Sequence, residues 1–283
     1  MRIALVSDTH FDRNDQLLVE NWLAVERWLK TIAPDLVIHL GDITAKGSTN
    51  GAQLSFAHEV LSRARLPMRA VPGNHDIGDC PVAVGAEAKE PLVPERLADY
   101  RRLFGPDRWL VDAEGWRLLG LNALLFATGL PEEEAQFDWL ANALAKGDGP
   151  IGVFLHKPLF RARPEEDIVH HRYVARPARL RLLSLLQGHD LRFVVAGHTH
   201  QVRHHRVAGT DYVWAPSTAF TVPDFRQEWI GQKRIGAMIL DVAADAYEFA
   251  HVVPEGMTAY TLMDFPHIYD EVAELRRQHG YAD

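Results

Sequence analysis

Ile3-Ala-Leu-Val-Ser-Asp-Thr-His10 is the stretch on which the reading of the whole chain turns. A short run of branched apolar residues stops at Ser7, and two groups able to bind a metal ion, Asp8 and His10, follow two residues apart. Side chains so spaced leave an extended strand on one face. The same grammar recurs downstream. Residues 36–40 end at Gly41-Asp42, 68–71 at Pro72-Gly-Asn-His-Asp76, 116–121 at Asn122, 151–155 at His156, and 191–196 at Gly197-His-Thr-His200.

Between these runs, residues 17–30, 56–65, 132–146 and 178–187 carry apolar side chains at helical spacing. Pro131 ahead of three glutamates suits a helix start, where proline costs no hydrogen bond and acids meet the positive end of the dipole. The alternation predicts an α/β fold. Sites in such folds gather beyond the carboxyl ends of the strands, so the six strand ends are expected to converge. After His200, residues 211–214, 234–242 and 246–253 read as additional strands of a second sheet. Residues 76–94, rich in Gly, Pro and Ala, read as a long loop over the site. No repeat or linker divides the chain.

Hydrophobic residues at 47% and charged residues at 24% describe an ordinary globular protein of 283 residues. The formal net charge of −8 argues against a nucleic-acid polymer as partner, since phosphate backbones are held by basic faces. A single cysteine, Cys80, excludes an intrachain disulfide and fits a reducing compartment. The apolar run at residues 3–6 is too short for a signal-peptide core, and no later stretch approaches a membrane span. A cytoplasmic protein without a membrane partner is expected.

Taken singly, these strand-end motifs are weak, because Gly-Asp and Asp-x-His occur at ordinary turns. Together they supply Asp8, His10, Asp42, Asn74, His156, His198 and His200: two carboxylates, one amide and four imidazoles. Imidazole mixed with carboxylate suits Fe, Mn, Zn, Co or Ni, whereas an all-oxygen shell would suit Mg or Ca. One ion takes three or four such ligands, so seven candidates imply two ions.

With 15 histidines, several must be bystanders. His39, inside an apolar strand, reads as a hydrogen-bonded core residue. The pairs His170-His171 and His204-His205, diverging in strands, read as surface or rim residues, with His204 within reach of substrate. Trp22, Trp28 and Trp139 read as packing anchors. Arg13 and Asn14 sit in a loop that is as well placed to meet substrate as to face solvent. Asn122 reads as a turn residue, and Asp76 as an acceptor for a ligand imidazole.

The ordered set Asp-x-His, Gly-Asp, Gly-Asn-His-Asp, His, Gly-His-x-His resembles the calcineurin-like metallophosphoesterase superfamily over residues 3 to about 218. Within it the chain is most similar to bacterial class III cyclic nucleotide phosphodiesterases and their glycerophosphodiesterase relatives. Tyr100-Arg-Arg-Leu-Phe-Gly105, Gln136-Phe-Asp-Trp-Leu140 and Ala215-Pro-Ser217 add to the likeness. The resemblance implies a four-layer αββα sandwich of two mixed sheets flanked by helices. It implies Asp8, His10 and His200 on one metal, Asn74, His156 and His198 on the other, and Asp42 bridging both.

Hydrolysis of a small phosphodiester by in-line attack of metal-activated hydroxide is then expected, with 3′,5′- or 2′,3′-cyclic nucleotides as leading substrates. Glycerophosphodiesterase, phosphomonoesterase or nucleotide pyrophosphatase activity are alternatives, and a non-catalytic metal-binding scaffold is the rival from another class. Iron and manganese lead the list of expected ions, with Zn, Co and Ni behind them. An alkoxide leaves readily only when protonated, and His75, beside Asn74, is the candidate proton donor; its other reading is a residue that only orients phosphate. Lys157 stands where many relatives carry a second histidine, which bears on substrate contact near His156. Residues 1–255 are expected to form the catalytic domain, and residues 256–283 an extension that caps the core or joins subunits in a homo-oligomer.

Overall fold

The computed structural model describes residues 1–281. β1 (Arg2–Val6) leads to α1 (Leu17–Ile32), β2 (Leu36–His39) to α2 (Gly51–Arg63), and β3 (Met68–Ala70) to the single turn α3 (Asn74–Ile77) and then α4 (Pro94–Phe104). The hairpin β4 (Trp109–Ala113) and β5 (Trp116–Gly120) precedes α5 (Pro131–Leu144), β6 (Ile151–Leu155), α6 (Arg176–Leu186) and β7 (Leu191–Ala196). β8 (Arg203–Val207), β9 (Thr210–Trp214), β10 (Phe220–Thr221), β11 (Ala237–Val242), β12 (Tyr247–Val252), β13 (Tyr260–Thr261) and α7 (Asp270–Gln278) complete the chain.

Two mixed sheets result, ordered β12-β11-β1-β2-β3 and β4-β5-β6-β7-β9-β8. Strand alternation sorts their side chains. Ile3 and Leu5 of β1 share one apolar core with Phe154 of β6, Phe193 and Val195 of β7 and Leu240 of β11, so the sheets pack face to face. Ala4 and Val6, one residue out of phase, join Trp22, Val25 and Leu29 of α1 in the core beneath the helices. The result is the expected sandwich of two sheets between helices.

The segments expected as strands after His200 correct one expectation: residues 211–214, 234–242 and 246–253 build no sheet of their own, and the separate pairing after His200 is the short parallel β10–β13 pair. β11 pairs antiparallel with β1, and β9 pairs parallel with β7, so each finishes a sheet begun earlier in the chain. β1 has β2 on one edge only, and its other row of backbone groups is satisfied by β11. Residues 76–94 do form a loop apart from the turn of α3, and two of its bonds, Asp79 N–H to Glu90 O at 2.6 Å and Leu92 N–H to Asp79 O at 3.0 Å, close it on itself. Among the described residues, no helix is long and apolar enough to cross a membrane.

Candidate metal centre

Parallel pairing of β1 with β2 lays their outgoing loops side by side. Asp8 N–H donates to Gly41 O and His10 N–H to Asp42 O, both at 3.0 Å, while Gly197 N–H donates to His156 O at 2.9 Å. The Gly41 and Gly73 backbones pass so close that a methyl group on Gly73 would lie 2.1 Å from the Asp42 nitrogen. Only glycine allows that approach. Asp8, His10, Asp42, His198 and His200 all hold left-handed backbone, with φ between 48° and 66°. Non-glycine residues rarely adopt it, and each instance costs on the order of 1–2 kcal/mol.

Those corners aim the side chains at one another. His10 Nε2 lies 3.2 Å from His200 Nε2, His198 Nδ1 lies 3.1 Å from His156 Nε2, and His156 Nε2 lies 3.2 Å from Asn74 Oδ1. Each aspartate gives one oxygen to the chain and turns the other inward. Asp42 Oδ1 accepts from His75 N–H at 2.8 Å, while Oδ2 sits 3.2 Å from His156 Nε2 and 3.8 Å from His10 Nε2. Asp8 Oδ2 accepts from Ser7 Oγ and from His198 N–H, while Oδ1, 3.3 Å from His200 Nε2, is buried without a hydrogen bond.

The far side of each ring fixes the near side. His156 Nδ1 faces Leu40 O at 2.8 Å and His200 Nδ1 faces Phe220 O at 2.7 Å; a carbonyl only accepts, so each Nδ1 carries hydrogen. In its neutral form each ring then presents an Nε2 lone pair toward carboxylate and amide oxygens. Acceptors converging on acceptors in a buried place call for a cation, and this donor set fits transition-metal ions. The grouping Asp8–His10–His200 and the grouping Asp42–His156–His198 each have ligand atoms within 4.8 Å of one another, as does His10–Asp42–His75.

The electrostatics agree. Burial would raise the Asp8 and Asp42 carboxyls, but His200 beside the first and His156 beside the second hold both below their ordinary range. Burial followed by a neighbouring imidazole, His75 for His10 and His156 for His198, keeps those rings neutral far below the usual histidine range. Burial also opposes charge on His156, yet Asp42 and Asp8 overcome it and lift the ring to about 9. Positive charge is thus favoured between the carboxylates.

Asp76 departs from expectation, since it meets no imidazole. Its carboxylate accepts from the backbone N–H groups of Ile43, Thr44 and Gly73 and from the Thr44 hydroxyl, at 2.8–3.2 Å, tying the loop after β2 to the loop after β3. Burial and the charge of Asp42 push it up to about 6, against the pull of those donors. Asp76→Ala would strand several buried donors at about 1–3 kcal/mol each, so urea denaturation is expected to register a loss of about 3 kcal/mol or more. A loss under about 1 kcal/mol would remove Asp76 from this role.

His75 Nδ1 donates to Ala45 O at 2.7 Å, and the side chain lines a cavity of about 360 Å³ with His10, Asp42, His198, His200 and Tyr269. The rim of that cavity includes His170, His171, Arg172 and Arg226, and neither arginine has a carboxylate within 4.0 Å among the described residues. The histidine pair is at the rim as expected, but in a loop with rings 4.1 Å apart, not diverging from a strand. A larger cavity, about 770 Å³ between α6 and the β8–β9 turn, holds no grouping of metal-capable side chains.

Several other candidates fall outside. His39 is a core residue bonded to Thr9 Oγ1 at 3.1 Å and held neutral by burial, at about 4. His204 pairs with Asp211 at 3.3 Å, and Arg13 lies over the Phe56 ring. Asn122 caps the turn after β5 and bonds Asp107, so the β5 end does not join the cluster. Lys157 is buried against Asp79 and Cys80 and does not line the cavity. Tyr269, Arg172 and Arg226 are among the cavity residues that sequence reading missed.

Residues 1–202 match the calcineurin-like phosphoesterase family. The chain is 29% identical over 217 residues to a probable cyclic nucleotide phosphodiesterase of Psychrobacter arcticus, covering 73% of this chain and 71% of that protein. It is 27% identical over 239 residues to glycerophosphodiester phosphodiesterase GpdQ of Enterobacter lignolyticus, covering 79% of each. A dimetal phosphatase from Danio rerio shares the fold, with a TM-score of 0.63 at 13% identity over 89% of this chain and 95% of that one. With the family matched over more than two thirds of its length and the strand-end cluster assembled, the chain belongs to the calcineurin-like phosphoesterases and is a phosphoester hydrolase.

Proposed function

We propose that the protein hydrolyses a small phosphodiester, with cyclic nucleotides as the leading substrates, at two transition-metal ions. Calcineurin-like phosphoesterases use a dinuclear metal centre, and candidate ligands for one are present here. In this reading Asp8, His10 and His200 hold one ion, Asn74, His156 and His198 the other, and Asp42 spans both. The observation that carries it is Asp42 Oδ2, which reaches His156 in one half of the cluster and His10 in the other. Iron and manganese are the leading ions among those that the mixed imidazole and carboxylate set fits.

When bound, such ions supply a hydroxide nucleophile near neutral pH and polarise phosphoryl oxygen. The chain supplies the rest. Asp8 and Asp42 stay ionised at the centre, and Arg172 and Arg226 at the rim draw an anionic substrate into an otherwise acidic protein. His75 commits Nδ1–H to Ala45 O, so it serves as acid from its doubly protonated form, passing the Nε2 proton to the departing alkoxide and remaining as the neutral Nδ1–H ring.

The similarity to the Psychrobacter arcticus protein favours a cyclic nucleotide, and that to GpdQ favours a glycerophosphodiester as the second reading. A panel of 3′,5′- and 2′,3′-cyclic nucleotides, glycerophosphodiesters and monoesters, run on metal-reconstituted protein, separates them. The highest kcat/KM is expected on a cyclic nucleotide. Metal-loaded protein that leaves both these substrates and bis(p-nitrophenyl) phosphate intact would refute the catalytic reading in favour of a scaffold.

A further inference from the structure

We propose that Tyr269, delivered by the C-terminal segment, is a positioning residue for His10 and sets how tightly the ion on the Asp8–His10–His200 side is held; this rests on the metal-dependent reading above. The Tyr269 hydroxyl lies 2.8 Å from His10 Nδ1 in a buried contact spanning 259 residues of sequence. Phe265, Ile268, Tyr269 and Val272 pack with Leu18, Ala45 and Phe220 in a third apolar core. His267, two residues before the tyrosine, meets Asp15 Oδ2 at 2.6 Å. The segment is therefore docked at two points, and its tyrosine reaches the centre of the site.

What distinguishes His10 is the kind of partner it has. His156 and His200 rest on backbone carbonyls, which hold hydrogen on Nδ1 and the lone pair on Nε2. His10 rests on a hydroxyl, which both accepts and donates. When Nε2 of His10 serves a cation, Nδ1–H donates to the tyrosine oxygen. When Nε2 carries the hydrogen, the tyrosine O–H donates to Nδ1. Each tautomer keeps its hydrogen bond, so a buried imidazole can exchange its proton between nitrogens as the ion comes and goes without stranding a polar atom. The orienting partner of a metal-bound histidine typically changes affinity by about 10–100-fold, and here that partner is not part of the strand-end loops at all.

Tyr269→Phe keeps the ring in its core and removes only the hydroxyl. Calorimetric titration of metal-free protein with Zn(II) is expected to show one of the two affinities falling about 10–100-fold and the other holding within about twofold. In Zn(II)-loaded protein with 15N-labelled histidine, the His10 Nδ1–H signal is expected to exchange slowly in the native chain and rapidly in the variant. His267→Ala loosens the same segment without touching His10 and is expected to change neither affinity. Unchanged affinities in Tyr269→Phe, or equal losses at both ions in both variants, would overturn the proposal. Native protein that takes up no ions would sink the metal-dependent reading and this inference with it, whereas native uptake of two ions with Tyr269→Phe unaltered sinks this inference alone.

Discussion

Asp42→Ala is expected to lower kcat/KM by roughly a thousandfold or more and to leave less than one ion bound where the native chain is proposed to bind two. The magnitude follows from position: disturbing a contact behind a ligand costs about 10–100-fold, and Asp42 is proposed as a ligand to both ions. Its Oδ1 also accepts the His75 backbone N–H, so the substitution loosens the proposed proton donor as well. Asp42→Asn separates charge from shape. It retains a side chain that tolerates the left-handed corner at φ 51° and removes only the negative charge, so it should fold normally and still lose metal. Elemental analysis alongside kinetics reads both variants, and full occupancy by two ions in Asp42→Ala would refute the bridging role.

The second large effect is expected at His75, and it depends on the substrate. His75→Ala should slow hydrolysis of alkyl diesters by about 10²–10⁴-fold, the usual contribution of a positioned acid. Esters of p-nitrophenol, whose leaving group departs without a proton, should slow by less than about tenfold. The contrast tests the proton rather than the ring. If both substrate types lose the same factor, His75 orients phosphate and transfers nothing.

The ligand candidates were legible because each motif combines an apolar run with an abrupt polar stop, and parallel strands deliver those stops to one edge. The β5 end obeyed the same grammar and misled, because Asn122 turns away to Asp107 and Gln136 to satisfy local backbone and side-chain groups. β8 was missed since Arg203-His-His-Arg-Val207 offers no apolar run; its half-exposed edge position needs none. α7 was missed because five of the nine residues of Asp270–Gln278 are charged and only Val272 is fully buried. Tyr269 carried no periodic signal, and its contact with His10 exists only after the chain closes on itself. Asp76 was seen, but a carboxylate beside histidines looks like an imidazole partner until the converging backbone N–H groups are visible.

The left-handed corners at Asp8, His10, Asp42, His198 and His200 restrict what evolution or an engineer can place there. Asp, Asn and His are the non-glycine residues that enter this region most readily, and they are also oxygen and nitrogen donors for metals. Exchanging Asp for Glu at these corners preserves charge while forfeiting that backbone tolerance, which makes it a harsher change than its chemical likeness suggests. The vocabulary of the site is therefore doubly filtered, by coordination and by torsion.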